Sequence, residues 1–524
     1  MADAGVARVD EAVRPSPAPI AHRRGWLERT IGIDSRALAG LRIGLGLVLL
    51  IDLAMRAQNL TMFYTDLGVF PRERMDPWMW QMGAPLHWLG GSFRWEASLF
   101  AIAALFAAGL ALGYHTRVAA IASWLLLTSL QARTPIVNDL GDDILRVCLF
   151  WSMFLPLGRR WSLDARRARA PDVENAPLCS IPGLAYLLQV AFVYFFTALL
   201  KSGADWHQDG TALYYALHID ALATSFGVWL RQFLPFLTLV TRATLALEYV
   251  GPFLLFAPWW PIRTAAVVSF WALHLGIAAS YRLGIFPWTD LVVLIPFLPA
   301  PVWDRLERLA GRTPRPAQPP HPDGGRFALA LAACAGAILL YVIGCNLKSV
   351  WPAFPMPGWL TDAGTRVRIN QQWRMFTPTP LHESGWYVIP GRLADGRLVD
   401  LSVHGPALTW QKPALISGDY PSYRTLTYMI QIRDPANVAL RRRWIEWACR
   451  QWNRNHPAEE RLERIEMYFM AETTRPPGQE ASLEKRPLIG MNCPGPANPV
   501  LAEPIGDRAY RREGPPGAPE AGGP

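Results

Sequence analysis

Charge is scarce in this chain of 524 residues: only 18% are Asp, Glu, Lys or Arg, against roughly 25% in an average soluble domain. With 51% hydrophobic residues and a mean hydropathy of +0.13, that scarcity excludes a disordered tail protein and an ordinary soluble enzyme. It points to lipid as the solvent for much of the chain. Cysteine is sparse and scattered. Cys148, Cys179, Cys334, Cys345, Cys449 and Cys493 form no C-x-x-C pair, so neither a zinc site nor a disulfide framework is signalled. Cys449 and Cys493 are the one pair that can share a soluble region, and a bridge between them is allowed if that region faces an oxidising compartment. Also missing are a Gly-rich phosphate loop, a Gly-x-Ser-x-Gly turn and any His/Cys cluster with metal-ligand spacing.

What is present is a series of apolar runs. A bilayer core needs roughly 20 apolar residues per helix, and nine segments come near this: 38–55, 97–113, 118–130, 144–157, 184–200, 233–256, 265–280, 285–302 and 327–345. The third and fourth are short and need flanking residues or protein shielding to span. The net charge of +9 suits either nucleic acid or an anionic bilayer face, and its distribution decides between them. Arginines crowd the N-terminal flank and alternate loops (Arg23, Arg24, Arg29, Arg36, then Arg117, then Arg159, Arg160, Arg166, Arg167 and Arg169, then Arg263, then Arg305, Arg308, Arg312, Arg315 and Arg326) and thin out in the loops between. That alternation is a topology signal, so the expected partner is the lipid bilayer and no nucleic acid. It places the N-terminus inside and everything after Cys345 outside, in the periplasm if the cell has two membranes.

Residues 1–34 lack the apolar core of a signal peptide and read as a disordered cytosolic leader. Residues 35–346 form the transmembrane region. Arg312 to Asp323 is a Pro-rich linker, and 494–524 is a flexible tail with a Gly/Pro/Ala end. Between them, 351–493 reads as an extracytoplasmic α+β domain. Its Gly385–Ile389 and Leu393–Leu401 segments suggest strands around the Asp395-Gly396 turn, a β-hairpin. Ala436–Trp452 has the periodicity of an amphipathic helix. The fold class is therefore mostly α: a polytopic bundle of about nine spans with a C-terminal α+β domain.

Ionisable groups inside spans are functional candidates by default: Arg42, Asp52, Arg146, Lys201, Arg242, Glu248, His274 and Asp290. Arg42 with Asp52, and Arg242 with Glu248, can equally be buried structural pairs. Lys201 ends an aromatic segment, Phe192 to Leu200, and precedes Ser202-Gly203-Ala204-Asp205-Trp206-His207. At such a position a lysine either snorkels to the headgroups or is desolvated, which disfavours its charged form and makes it a general base.

Lys201 with Asp205-Trp206, Trp161-Ser162-Leu163-Asp164, and His274 followed by Gly284-Ile285-Phe286-Pro287 resemble the membrane domain of vitamin K-dependent gamma-carboxylase. They also resemble the broader HTTM (horizontally transferred transmembrane) domain family. Tyr64-x-x-x-Gly68-x-x-Pro71-Arg72 and Gln372-Trp373-Arg374-Met375-Phe376-Thr377-Pro378 are similar to segments of bacterial HTTM members. The resemblance covers roughly 35–298. It implies that Lys201 is the base for a reduced quinone of the vitamin K hydroquinone type, with His274 as a second catalytic group and Asp205, Trp206, Glu248 and Arg42 around the pocket. A dry, lipid-lined bundle protects such chemistry from water. One departure stands out: the histidine that the carboxylase uses falls near Gly141-Asp142-Asp143, where this chain has none.

Two functions follow. One is a carboxylase-like membrane enzyme, a lyase or oxygenase, acting with a quinone on a secreted peptide held by the C-terminal domain. The other is a non-catalytic scaffold, or maturation and export factor, that binds lipid or quinone and docks a partner protein. A transporter would call for paired broken helices in two matching halves, whereas Pro235 and Pro252 fall in one segment only.

Overall fold

The computed structural model describes residues 19–74, 86–168, 177–313, 325–402 and 407–494. The Pro-rich linker lies mostly outside them, and the tail almost wholly. The apolar runs are helical, and the helices of this part of the chain include α1 (Pro19–Ile31), α2 (Ser35–Ala57), α3 (Phe93–Leu112), α4 (Thr116–Arg133), α5 (Leu140–Ser152), α6 (Ile181–Leu200), α7 (Leu234–Leu254), α8 (Trp260–Ser280), α9 (Phe286–Val293), α10 (Ala300–Leu309) and α11 (Arg326–Val350). Local chemistry sets the starts. Asp34 caps α2 by accepting from Arg36 N, Ser92 caps α3, Ser180 caps α6, and Asp139 with Asp142 makes a reciprocal capping box on α5.

The expected nine spans are not borne out. Among the described residues five helices are long and apolar enough to cross a membrane (α2, α3, α6, α8 and Ala328–Val350 of α11), or six if the bent pair Phe286–Phe297 and Ala300–Leu309 counts as one. The shortfall has physical causes. α5 has 13 residues, about 20 Å at ~1.5 Å per residue, and Ile144, Leu145, Cys148 and Leu149 are buried in protein. α7 carries Arg242, Glu248 and three threonines, and the chain turns by 103° between α9 and α10. The leader is not wholly disordered either. α1 occupies its second half, held where Ile33 bridges Leu178 and where Arg263 Nη1 donates to the carbonyls of Arg29 and Thr30.

After α11 come α12 (Gly358–Val367) and an antiparallel sheet of β1 (Glu383–Val388), β2 (Pro390–Leu393), β3 (Leu398–Asp400), β4 (Leu462–Thr473) and β5 (Ser482–Asn492). The hairpin is narrower than expected. Gly396, at φ 85°, turns β2 into β3, while β1 pairs with β4 and not with β2, and β5 covers the far side of β4. Two helices, α13 (Tyr423–Ile432) and α14 (Val438–Asn455), pack on this sheet. α14 starts two residues later than expected because Pro435–Asn437 forms a 3-10 turn. It buries Trp444, Ile445 and Cys449, and Cys449 is bridged to Cys493 beyond β5.

The C-terminal domain shares its core with the bundle. Phe63 and Phe70, from the connection after α2, pack their rings on Tyr428 at 5.7 and 5.9 Å. Gly68 makes that connection compact, since a Cβ there would lie 2.1 Å from the Met62 carbonyl oxygen. Beneath the contact is a buried square of charge. Asp52 accepts from Arg56 Nε (2.7 Å) and Arg424 Nη2 (2.7 Å), and Asp142 accepts from the same two arginines. The opposite end of α2 has its own cluster, in which Arg36 reaches Asp34, Asp304 and Glu307 and Arg160 also reaches Glu307.

Candidate functional site

Lys201 does not snorkel. It is the residue that closes α6, its side chain is 3% exposed, and its Nζ lies 2.6 and 2.5 Å from Oε1 and Oε2 of Glu248 on α7. The turn Ala204–His207 folds back over it. Trp206 sets its ring 4.3 Å from Nζ, and His207 Nε2 lies 2.7 Å from the Lys201 carbonyl oxygen. An ammonium against a carboxylate and an aromatic face is satisfied on two sides without water.

The segment Gln371–Thr379 forms a strap across this end of α6. Thr197 Oγ1 donates to the Trp373 carbonyl (3.3 Å), Trp206 Nε1 to that of Phe376 (3.0 Å), and Gly203 N to that of Pro378 (3.1 Å). Gly203 has to be glycine: a Cβ there would stand 2.0 Å from Thr379 Cγ2 and 3.0 Å from the Pro378 carbonyl oxygen. The Gln372-to-Pro378 motif is thus the cover of the lysine site.

His274 lies deeper on α8. Its Nε2 is 3.1 Å from the hydroxyl of Tyr194, which donates to Asp290 Oδ1 at 3.1 Å. With the one hydroxyl proton given to Asp290, Nε2–H of His274 is the donor to Tyr194 and Nδ1 is a bare acceptor. His274 Nδ1 and Asp290 Oδ2 are buried without a hydrogen-bond partner among the described residues. Tyr194 and Lys201 are seven residues apart on α6, which puts both clusters on one helix face, separated by about 10 Å of rise.

The remaining candidates separate. Asp205 turns away from Lys201, accepting from Thr211 Oγ1 (3.1 Å) and pairing with His382 Nε2 (2.8 Å), whose ring stacks on Tyr215 at 3.7 Å. His382 escaped the sequence reading because it is 177 residues from Asp205. Arg42 sits near the far end of the bundle, its guanidinium on the carbonyls of Leu110 (2.9 Å), Ala111 and Trp161 (2.7 Å), where it closes the C-terminus of α3. Neither suggested structural pair forms. Asp52 binds Arg56 and Arg424, and Glu248 binds Lys201. Asp164 of the Trp-Ser-Leu-Asp motif accepts from His115 N and Thr116 N, both at 2.8 Å, to cap α4.

A family model of the HTTM domain matches residues 32–303, more than half of the chain. The protein belongs to the HTTM domain family. That family is related to vitamin K-dependent gamma-carboxylase, and the matched HTTM segment contains Lys201, Asp205, Trp206, Glu248, His274 and Arg42. The strap and His382 lie beyond it. Comparison with curated proteins and with solved structures finds no match.

Proposed function

We propose that this HTTM protein is a multi-pass membrane enzyme that uses Lys201 as the base toward a reduced quinone. The observation that carries this reading is the burial of the Lys201–Glu248 pair. Moving one proton from Nζ to the carboxylate turns the ion pair into a neutral amine beside a carboxylic acid, a change that leaves the net charge of the site untouched and that burial favours. The neutral Nζ is then a proton acceptor. A reduced quinone supplies an acidic phenolic hydroxyl and two reducing electrons when bound. A ring that presents one hydroxyl to Nζ would lie along the aromatic face of α6, with the unpartnered His274 Nδ1 and Asp290 Oδ2 deeper on the same face. Trp206 and the strap exclude water above Nζ.

The proposed setting is the inner membrane with the C-terminal domain outside the cytoplasm. The Cys449–Cys493 bridge belongs to an oxidising compartment, and the arginine-crowded loops lie at the opposite end of α2 from that domain.

The test uses membranes containing the protein, a chemically reduced naphthoquinone and oxygen. Quinol consumption and epoxide formation are expected for the wild type and lost in Lys201→Ala. Turnover equal in both proteins would sink the reading. A second reading, a scaffold that binds quinone or lipid and docks a secreted peptide or protein, is supported by one observation: Asp142, near the position of the carboxylase histidine, is taken up by Arg56 and Arg424. It predicts binding of the quinol without consumption.

A further inference from the structure

The strap over Lys201 is fastened at its deep end by side chains that the lysine site does not use. Gln371 begins it, and Gln189, buried in the middle of the candidate span Ile181–Leu200, meets it there. The two amides bond each other reciprocally: Gln189 Nε2 donates to Gln371 Oε1 at 2.6 Å, and Gln371 Nε2 donates to Gln189 Oε1 at 2.9 Å. Each amide oxygen also accepts from an indole. Trp151 Nε1 donates to Gln189 Oε1 and Trp373 Nε1 to Gln371 Oε1, both at 3.1 Å. Trp151 and Trp373 are fully buried, so the four side chains make a polar knot inside an apolar bundle.

Among the described residues no backbone hydrogen bond closes within Gln371–Thr379, so the strap has no ladder of its own to fix where it lies along α6. Non-helical backbone at membrane depth persists only where protein or water satisfies it. Thr197, Trp206 and Gly203 do so, but all three meet main-chain carbonyls of the strap. A carbonyl recurs at every residue, about 3.3 Å further along an extended chain, and so marks no register. The amide pair with the indole beside it does mark one. Gln372 offers a second amide, but moving it onto Gln189 would carry Arg374 into the buried place of Trp373. Register matters at Phe376, whose carbonyl holds Trp206 Nε1 and thereby the ring 4.3 Å from Lys201 Nζ. We infer that Gln371, clasped by Gln189, is a positioning residue for the lysine site: it sets the register of the strap and, through Phe376 and Trp206, the cover over Nζ. The inference rests on the reading of Lys201 as the base and adds what keeps that base covered.

The test is acetylation of the full-length protein by acetic anhydride in nanodiscs, read residue by residue by mass spectrometry, with the exposed Lys485 on β5 as internal reference. Lys201 in the wild type should stay protected. Gln371→Met keeps the length of the side chain and removes its amide, and should raise Lys201 labelling about tenfold, the equilibrium equivalent of a buried hydrogen bond lost. Gln189→Met should do the same, and the double variant no more than either, since the two residues share one interaction. Asp304→Asn, which weakens the Arg36 cluster at the far end of the bundle, controls for general loosening and should leave Lys201 protected. The inference is overturned by a protected Lys201 in both single variants, by effects that sum in the double variant, by equal labelling in Asp304→Asn, or by an unprotected wild type. The measurement needs no quinone, so a wild type without quinol turnover would count against the base and not against the clasp.

Discussion

Asp142 and Arg424 are joined by hydrogen bonds of 2.5 and 2.9 Å across 282 residues of chain, and both side chains are withdrawn from solvent. One comes from the first turn of α5, the other from α13 of the C-terminal domain. With Asp52 and Arg56 they form a closed square of two acids and two bases, so the domain is fastened to the bundle by charge balance as well as by apolar contact. Removing one corner leaves an uncompensated buried charge, at a cost of about 3–5 kcal/mol. Arg424→Met is therefore expected to loosen the domain, and limited proteolysis in detergent should cleave around 380–494 faster than in the wild type. Unchanged cleavage and unchanged thermal unfolding would contradict this role.

The Lys201–Glu248 pair predicts a non-additive pair of substitutions. Lys201→Met alone strands a buried carboxylate, again about 3–5 kcal/mol, whereas Lys201→Met with Glu248→Leu removes both charges and should recover most of that loss. Thermal unfolding of the two variants checks it. The double variant also separates lost activity from lost folding in the quinol assay.

Cys449 and Cys493 close a loop of 44 residues in sequence. On the chain-entropy account such a cross-link stabilises by about 4 kcal/mol. Cys493→Ser should lower the unfolding temperature of the C-terminal domain, and reductant should do the same to the wild type but not to the variant. Peptide mapping without reduction should recover the linked pair.

Asp220 lies in the connection between α6 and α7, 2.6 Å from Arg231 Nη2 and 2.8 Å from Lys412 Nζ. Burial acts to raise its carboxyl, but Arg231 and Lys412 outweigh burial and hold it below the ordinary carboxylate value. Burial acts to lower Lys412, but its hydrogen bonds to Asp220 and Glu472 hold it above the usual lysine value. The depressed acid contributes stability above its unfolded value, about pH 4, and loses it as pH falls through the folded one. The raised base contributes below about pH 10 and loses it as pH rises through its own folded value. The contribution of this site should be flat between those limits and fall outside them. Lys412→Met is expected to flatten the alkaline limb, which unfolding followed against pH would reveal.

Much of this was legible in residue order. Hydropathy located the apolar helices of the bundle, periodicity located α14, and the Asp395-Gly396 turn located a hairpin, because these signals are local. The number of spans was not legible, since α5 is apolar for burial within protein and not for contact with lipid. The partners of ions were not legible either. Arg242 and Glu248, six residues apart, fall on different faces of α7, while Arg42 and Asp52 are about 15 Å apart along α2. Glu248 found Lys201 on another helix, and Asp205 found His382 in another domain. Only tertiary packing brings such residues together, and a single sequence carries no trace of it.

The strap that covers Lys201 also sets an order of events during biosynthesis. Trp206 is fastened to Phe376, which leaves the ribosome 170 residues later. The lysine and its glutamate can meet as soon as α6 and α7 are inserted, but the roof over them arrives only when the chain has come back through α11. A nascent protein therefore carries an uncovered lysine site until at least 170 further residues have been made.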